Sequence, residues 1–280
     1  MTEDKSIIDL ARAGQTPPQD TQPNPQPTRD TNPGNSKDAR AEVSDALDSL
    51  LTKVRGKFNW IPIDLPGAGL LGSPAVVNIR PFNFEDEKIL RNIKKISDGS
   101  KVVQKLIERC TEGINYPTLS LVDKNYILYK LREVSYGDSY NVEVTCPQCS
   151  DVNSLGILFS ELPVVYATEE LLSNLKVTLP DSEVVVSYKL PTVAEEELLS
   201  DASNILDHLW RFIKDINGHT ERIVIQGFLP KTTAKDVATL RGEVFNTNIG
   251  LQTKVGFICN GCSNDSIIEL PITESFFNVN

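Results

Sequence analysis

Two Cys-x-x-Cys pairs, Cys146/Cys149 and Cys259/Cys262, constrain this chain more than any other feature of its sequence. Each pair lies between two segments that read as β-strands, so each is predicted to form the tight turn of a zinc knuckle. Two thiolates on such a turn bind one metal ion at about 2.3 Å, and a second turn completes a tetrahedral Cys₄ shell. The spacing therefore predicts one structural zinc ion per chain.

Three other interpretations of these four cysteines stay open at this point: chance thiols, a redox dithiol and disulfides. A thioredoxin-like site is typical of one pair at a strand-to-helix junction, whereas strands flank both pairs here. Four thiolates leave no open coordination position, so the predicted site stabilises structure and does not activate water. The fifth cysteine, Cys110, follows an apolar-periodic run and is predicted to be a buried helix thiol.

The composition is that of an acidic protein. The formal net charge of −10 and the pI of about 4.8 disfavour binding to phosphate backbones, so nucleic acid is not a predicted partner. No secretory signal is recognisable after the acidic opening, and no run approaches about 18 uncharged apolar residues. We therefore expect a soluble protein, made in a reducing cytoplasm, with no membrane partner.

The first 58 residues are predicted to form two segments. Residues 1–38 are rich in proline and polar residues and cannot bury enough apolar surface to offset their chain entropy, which predicts a disordered tether. Residues 6–12 within it are either a frayed terminus or a short docking peptide. Residues 39–58 are predicted to be a helix because apolar residues recur at helical spacing. These are Val43, Ala46, Leu47, Leu50, Leu51 and Val54.

An internal duplication organises the rest of the chain as a first repeat at 60–164 and a second at 165–280. Five landmarks recur in order: a Leu-Pro turn, a strand leading into an acidic helix start capped by Asn83 or Thr192, a Leu-Arg segment, a knuckle, and a Glu-Leu-Pro step that begins at Glu161 or Glu269. The predicted fold is α+β, with two tandem hairpin-helix-knuckle repeats joined by a shared Cys₄ zinc ribbon. Helices are predicted at 84–96, 101–111, 122–134, 193–216 and 233–246.

Catalytic patterns are missing from the sequence. His208 lies on a predicted helix and His219 follows a turn, and neither has a sequence neighbour that orients it for catalysis. The acidic triplets at 85–87 and 195–197 are predicted to favour helix N-termini, because consecutive helix positions point in different directions. Gly67-Ala-Gly69 is a lone Gly-x-Gly that is typical of a hairpin turn. We therefore predict no enzymatic activity and no small-molecule substrate.

Five short motifs follow one another along the chain: Ile63-Asp-Leu-Pro66, Ile79-Arg-Pro-Phe82, Asp86-Glu-Lys88, Tyr136-Gly137 and Cys146-Pro-Gln-Cys149. In this ordered set of motifs the chain resembles the T4-like tailed-bacteriophage baseplate hub proteins, over about residues 60–275. The resemblance implies a non-enzymatic virion or assembly protein of a contractile-tail baseplate. The implied partners are other baseplate hub proteins, and the implied location is the virion, or the host cytoplasm during assembly.

Two further functions stay open as alternatives. A zinc-ribbon protein of transcription or replication is typically basic and aromatic around its knuckles, whereas these carry Glu143, Asp151, Asp265 and Glu269. A hydrolase needs a cluster of titratable groups, which the sequence does not indicate.

The C-terminal pair Phe276-Phe277 is expected to dock, either on the body of this chain or on a neighbouring protein.

Overall fold

The structure, a computed structural model, describes residues 35–55, 59–91, 99–196, 198, 202–270, 272 and 274–277. The chain divides into two compact units, residues 1–53 and 54–280. The described part of the first unit belongs to helix α1, Asn35–Arg55, so the predicted helix begins four residues earlier than residue 39. The tether and its 6–12 segment lie outside the described residues, apart from the first turn of α1.

The second unit begins with a three-stranded antiparallel sheet in the order β1–β2–β3. Two helices, α2 and α3, lie between β2 and β3 in the chain, and helix α4 leads into the hairpin β4–β5. The bounds are β1 Ile61–Asp64, β2 Val76–Ile79, α2 Phe84–Arg91, α3 Gly99–Cys110, β3 Thr111–Glu112, α4 Leu121–Tyr136, β4 Ser139–Thr145 and β5 Val152–Leu158.

A second three-stranded antiparallel sheet follows, in the order β7–β8–β9, and helix α9 precedes the hairpin β11–β12. The short strands β6 and β10 pair with each other and join the two parts of the unit. The bounds are β6 Val164–Val165, α5 Glu169–Ser173, β7 Lys176–Thr178, β8 Val185–Tyr188, α6 Val193–Glu196, α7 Ala202–His208, β9 Ile213–Ile216, α8 Arg222–Phe228, α9 Ala234–Phe245, β10 Gly250–Leu251, β11 Lys254–Ile258 and β12 Asp265–Glu269.

The predicted helix at 193–216 is wrong over its last residues. Ile213–Ile216 forms strand β9, which pairs with β8 and is followed by a turn at Asn217 and Gly218, both of positive φ. Burial of Ile213 and Ile216 against the sheet favours a strand over a helix in this segment, because β-branched residues pack well on a pleated surface.

Among the described residues, no helix is long and apolar enough to cross a membrane.

A buried carboxylate holds the first Leu-Pro turn. Asp123 is the third residue of α4, and its backbone N–H donates to the hydroxyl of the N-cap Ser120 at 3.0 Å. Its carboxylate accepts the backbone N–H of Gly67 at 2.7 Å. A Cβ on Gly67 would lie 2.4 Å from this carboxylate, so only glycine fits in the turn.

The second Leu-Pro turn is held in the same way. Asp236 is the third residue of α9, capped by Thr233, and its carboxylate accepts the backbone N–H groups of Asp181 at 2.8 Å and Ser182 at 3.1 Å. Both Asp123 and Asp236 are fully buried. Each helix start therefore satisfies the exposed amides of a turn that lies more than 50 residues earlier in the chain.

The two predicted helix starts also share one arrangement. The backbone N–H of Asn83 donates to the Asp86 carboxylate at 3.0 Å, and that of Thr192 donates to the Glu195 carboxylate at 3.0 Å. Both are the reciprocal contact of a capping box, in which the third helical residue reaches back to the cap. The acidic residues at 85–87 and at 195–196 thus lie in the first turns of α2 and α6, as predicted, and Glu197 lies outside the described residues.

The C-terminal aromatic pair docks on this chain's own body. Phe276 is fully buried and Phe277 is 6% exposed. The Phe276 ring contacts those of Tyr129 and Tyr140 at centroid distances of 4.8 and 5.5 Å. The buried Arg132 guanidinium donates to the Phe276 carbonyl oxygen at 2.9 Å. Of the two docking alternatives, the structure supports docking within the chain.

Replacing Phe276 by Ala should therefore lower the free energy of unfolding by about 3–5 kcal/mol, because it leaves a cavity among packed rings. Urea unfolding followed by circular dichroism measures this change. Phe84→Ala is the matched control, since Phe84 is 73% exposed and its loss should cost less than about 0.5 kcal/mol. Equal costs for the two variants would contradict the docked position of Phe276.

Asp86 is a fully buried carboxylate that two arginines contact. Arg80 and Arg109 each place a guanidinium nitrogen 2.7 Å from it. Burial opposes ionisation of Asp86, but the hydrogen bonds from Arg80, from the Asn83 backbone and from Arg109 outweigh it and lower the pKa of the carboxyl. The ionised form is therefore the one that stabilises the fold.

Asp86→Asn should destabilise the protein by about 3–5 kcal/mol at neutral pH, because it leaves two guanidinium groups without their anion. Since the pKa of Asp86 is depressed in the folded state, its contribution is present above the unfolded value of about 3.9 and is lost as pH falls through the folded value. Denaturant unfolding from pH 7 to pH 3 tests this. The difference between wild type and variant should shrink below about pH 4, and a constant difference would argue against the role of the carboxylate charge.

Candidate metal centre

The two Cys-x-x-Cys turns have the same backbone geometry. The N–H of Cys146 donates to the carbonyl oxygen of Asp151 at 2.8 Å, and the N–H of Ser150 donates to that of Cys146 at 2.9 Å. In the second turn, the N–H of Cys259 donates to Asn264 at 3.0 Å and that of Ser263 donates to Cys259 at 2.9 Å. Each turn is closed at the end of a two-stranded hairpin, as the flanking sequences predicted.

Small residues make these turns possible. Ser150 and Ser263, each directly after the second cysteine of its pair, have φ values of +63° and +55°. Short polar side chains tolerate this left-handed conformation better than β-branched ones. Gly261 lies against the other knuckle, where a Cβ would be 2.6 Å from the Asp151 carboxylate. These three small residues therefore allow both the turns and their close approach.

All four sulfur atoms lie together, within 4.8 Å of one another. The Sγ atoms of Cys146 and Cys262 are 3.7 Å apart, and those of Cys149 and Cys259 are 3.6 Å apart. A disulfide bond is about 2.05 Å long, so these pairs are not disulfides in the structure. A tetrahedron with metal–sulfur bonds of about 2.3 Å has edges of about 3.8 Å. The observed separations fit four thiolates around one metal ion.

Two of the four cysteines lie in a small apolar core, and the other two are exposed to solvent. Cys146 and Cys259 are each 1% exposed and pack with Phe257, while Cys149 and Cys262 are exposed. Partly buried aliphatic residues from both hairpins complete this small core: Val144, Leu155 and Ile268. Apolar packing from both hairpins thus brings the two knuckles together in addition to the sulfur chemistry.

The electrostatics favour a thiolate at Cys259. Hydrogen bonding from the backbone of Cys262 lowers its pKa, burial opposes this, and the Asn153 side chain and the Gly261 backbone lower it further, to about 6. The thiolate is the form that binds metal. Buried Asn153 donates from Nδ2 to the Cys259 Sγ at 3.5 Å. Sequence reasoning missed Asn153, since asparagine in a strand gives no signal of a contact to a thiol more than 100 residues away.

The other residues considered in the sequence lie elsewhere. Cys110 is fully buried at the end of α3, and burial raises the pKa of its thiol to about 12, as expected for an unreactive core thiol. Arg211 Nε donates to His208 Nδ1 at 3.4 Å, and His219 is exposed beside Glu221. Within the part of the chain that the structure describes, the four knuckle cysteines form the single cluster with metal-binding geometry.

Comparison with known proteins places the chain in a family. No curated protein and no solved structure gives a significant match. The model of one protein family, described as T4 bacteriophage base plate protein, matches residues 63–278. This match begins within β1 and includes the rest of the first sheet, the whole second sheet and both knuckles, and it agrees with the resemblance carried by the sequence motifs. The chain therefore belongs to the T4 bacteriophage base plate protein family.

Proposed function

We propose that this protein is a structural or assembly component of the hub of a contractile phage-tail baseplate, where it acts as a protein–protein interaction scaffold. The family match over residues 63–278 is the observation that carries this proposal. A baseplate family fits a structural role, partners that are other baseplate proteins and a place in the virion tail. The proposal also includes the hub position, a non-enzymatic role and a location in the host cytoplasm during assembly.

The proposal includes one zinc ion per chain, bound by Cys146, Cys149, Cys259 and Cys262. The sulfur separations of 3.6 and 3.7 Å support a tetrahedral ion, and four thiolates are a common ligand set for structural zinc. Because Cys146 and Cys262 lie 116 residues apart in sequence, the ion would join two distant hairpins. Such a crosslink stabilises a fold by restricting a long loop of the unfolded chain.

It also includes a duplicated architecture, with repeats at 60–164 and 165–280, and an N-terminal tether that ends where helix α1 begins at Asn35. Several paired features support the repeats: equal sheet orders, reciprocal caps at Asn83 and Thr192, and helix-start carboxylates on both Leu-Pro turns. The knuckles, with their positive-φ serines, are a further pair. So many features recurring in the same order are unexpected without duplication.

Charge near the knuckles supports protein partners over nucleic acid. Glu143, Asp151, Asp265 and Glu269 are all exposed on the hairpins that carry the cysteines. A zinc-ribbon protein of transcription or replication needs cations or aromatic rings there to bind phosphates and bases. Exposed carboxylates repel a phosphate backbone, so this observation favours the baseplate scaffold.

Cys146→Ser should release the metal and destabilise the second unit by several kcal/mol, because three ligands hold zinc less tightly than four. Elemental analysis of protein purified under nitrogen should give one zinc per wild-type chain and less than one in the variant. Cys110→Ser is the matched control, since Cys110 is buried in α3 away from the knuckles, and its zinc content should stay at one. Wild-type protein without stoichiometric zinc would disprove the metal part of the proposal.

Removing residues 1–34 should weaken incorporation into the baseplate while leaving zinc content and unfolding free energy unchanged. The physical reason is that the segment is too poor in apolar residues to contribute to a core, so its expected role is contact with other proteins. A phage with its own copy of the gene disabled can be complemented with the wild-type or the truncated chain, and infectious particles counted. Equal titres would exclude the tether as a contact element and leave the folded second unit as the functional part.

A further inference from the structure

Asn153 forms the hydrogen bonds that connect one knuckle to the other. It lies in β5 of the first hairpin and is 1% exposed, yet its carboxamide contacts residues of the second knuckle. Its Oδ1 accepts the backbone N–H of Asn260 at 2.8 Å, and its Nδ2 donates to the Cys259 Sγ at 3.5 Å. Because a backbone N–H only donates, Oδ1 has to face Asn260, and this leaves Nδ2 for the sulfur.

We infer that Asn153 is a positioning residue of the metal site, which holds the Cys259 thiolate in its metal-binding orientation and slows release of the ion. The inference rests on the proposed metal site. Four thiolates around a divalent ion carry a net charge of −2, and a buried N–H donor to sulfur stabilises that excess charge. The same side chain also donates to the Asp151 carbonyl oxygen at 3.2 Å, which fixes it in the first knuckle.

The second hairpin lacks an equivalent of this side chain. Ser266 follows Cys262 by four residues, as Asn153 follows Cys149. Its hydroxyl accepts a hydrogen bond from Asn264 Nδ2 at 2.7 Å. Among the described residues, Asn153 is thus the one side chain outside the four cysteines with a hydrogen bond to a knuckle sulfur. The asymmetry predicts that one asparagine contributes to metal retention far more than its neighbours.

The substitution Asn153→Asp removes the hydrogen bond to the Cys259 sulfur while keeping the packing of the side chain nearly unchanged. Aspartate has nearly the same shape and still accepts the Asn260 N–H, but it has no N–H to donate to sulfur and places a negative charge beside the thiolate. Asn264→Asp is the matched control. It adds the same charge to the second knuckle at the position that Asp151 occupies in the first. The Asn264 side chain donates to the Asp265 carbonyl oxygen and the Ser266 hydroxyl, and only the backbone of Asn264 contacts a knuckle sulfur.

The first measurement is the rate at which each zinc-loaded, full-length protein loses its metal to an excess of a coloured chelator at neutral pH. We expect Asn153→Asp to release zinc about 10- to 100-fold faster than wild type, within the range that outer-sphere ligands of metal sites show. Asn264→Asp should stay within about twofold of wild type. With cobalt in place of zinc, only Asn153→Asp should change the sulfur-to-cobalt charge-transfer bands. Equal release rates and unchanged bands in both variants would overturn the inference.

A second measurement needs no variant and so does not depend on whether Asn153→Asp folds. In wild-type protein loaded with ¹¹³Cd, an N–H···S hydrogen bond transmits a scalar coupling from the metal to the donor proton. We expect a correlation between ¹¹³Cd and a side-chain amide proton of Asn153, and its absence would overturn the inference. Failure of wild-type protein to bind zinc, cobalt or cadmium would instead overturn the metal site itself, whereas tight binding without an Asn153 effect would leave that site intact.

Discussion

The contact between the two knuckles is the constraint on which the rest of the second unit depends. It brings together sulfur atoms that lie 110 and 116 residues apart in the chain and places them 3.6–3.7 Å from each other. Four thiols so close together need a shared cation or retained protons, since thiolates repel one another. The segment between Cys149 and Cys259 therefore has to return to its starting point. The sheet β7–β8–β9 and its helices lie within this segment.

In each half of that unit, the same kind of polar contact satisfies the exposed backbone N–H groups of a Leu-Pro turn. Both Leu-Pro turns expose backbone N–H groups, and in both cases the buried carboxylate of a helix-start aspartate accepts them. Buried carboxylates are costly unless they are hydrogen-bonded. Asp123 accepts the Gly67 amide and the Ser120 hydroxyl, and Asp236 accepts the amides of Asp181 and Ser182. These contacts fix each Leu-Pro turn against the start of a helix.

The two halves differ in their cores and in the side chains that contact the knuckle sulfurs. The first half holds the aromatic core, in which Arg132 donates to three carbonyl oxygens and its guanidinium lies over the rings of Tyr136, Tyr140 and Phe159. Phe276 and Phe277 complete this core and so pack against the first half. The second half has a smaller core of its own around β8, β9 and α9. Side-chain support of the knuckle sulfurs likewise comes from the first half, through Asn153.

Local patterns in the sequence determined much of this protein. The knuckle turns, the Asn83 and Thr192 caps, the hairpins and most helices followed from spacing and turn chemistry, because each of these depends on a few neighbouring residues. The ordered motifs also indicated the family. Tertiary structure decided what depends on distant partners. Ile213–Ile216 forms a strand because it pairs with β8 and buries Ile213 and Ile216 in the second core. Asp123 and Asn153 likewise contact backbone and sulfur atoms that sequence spacing does not bring near them, because only the folded chain places those atoms within hydrogen-bonding distance.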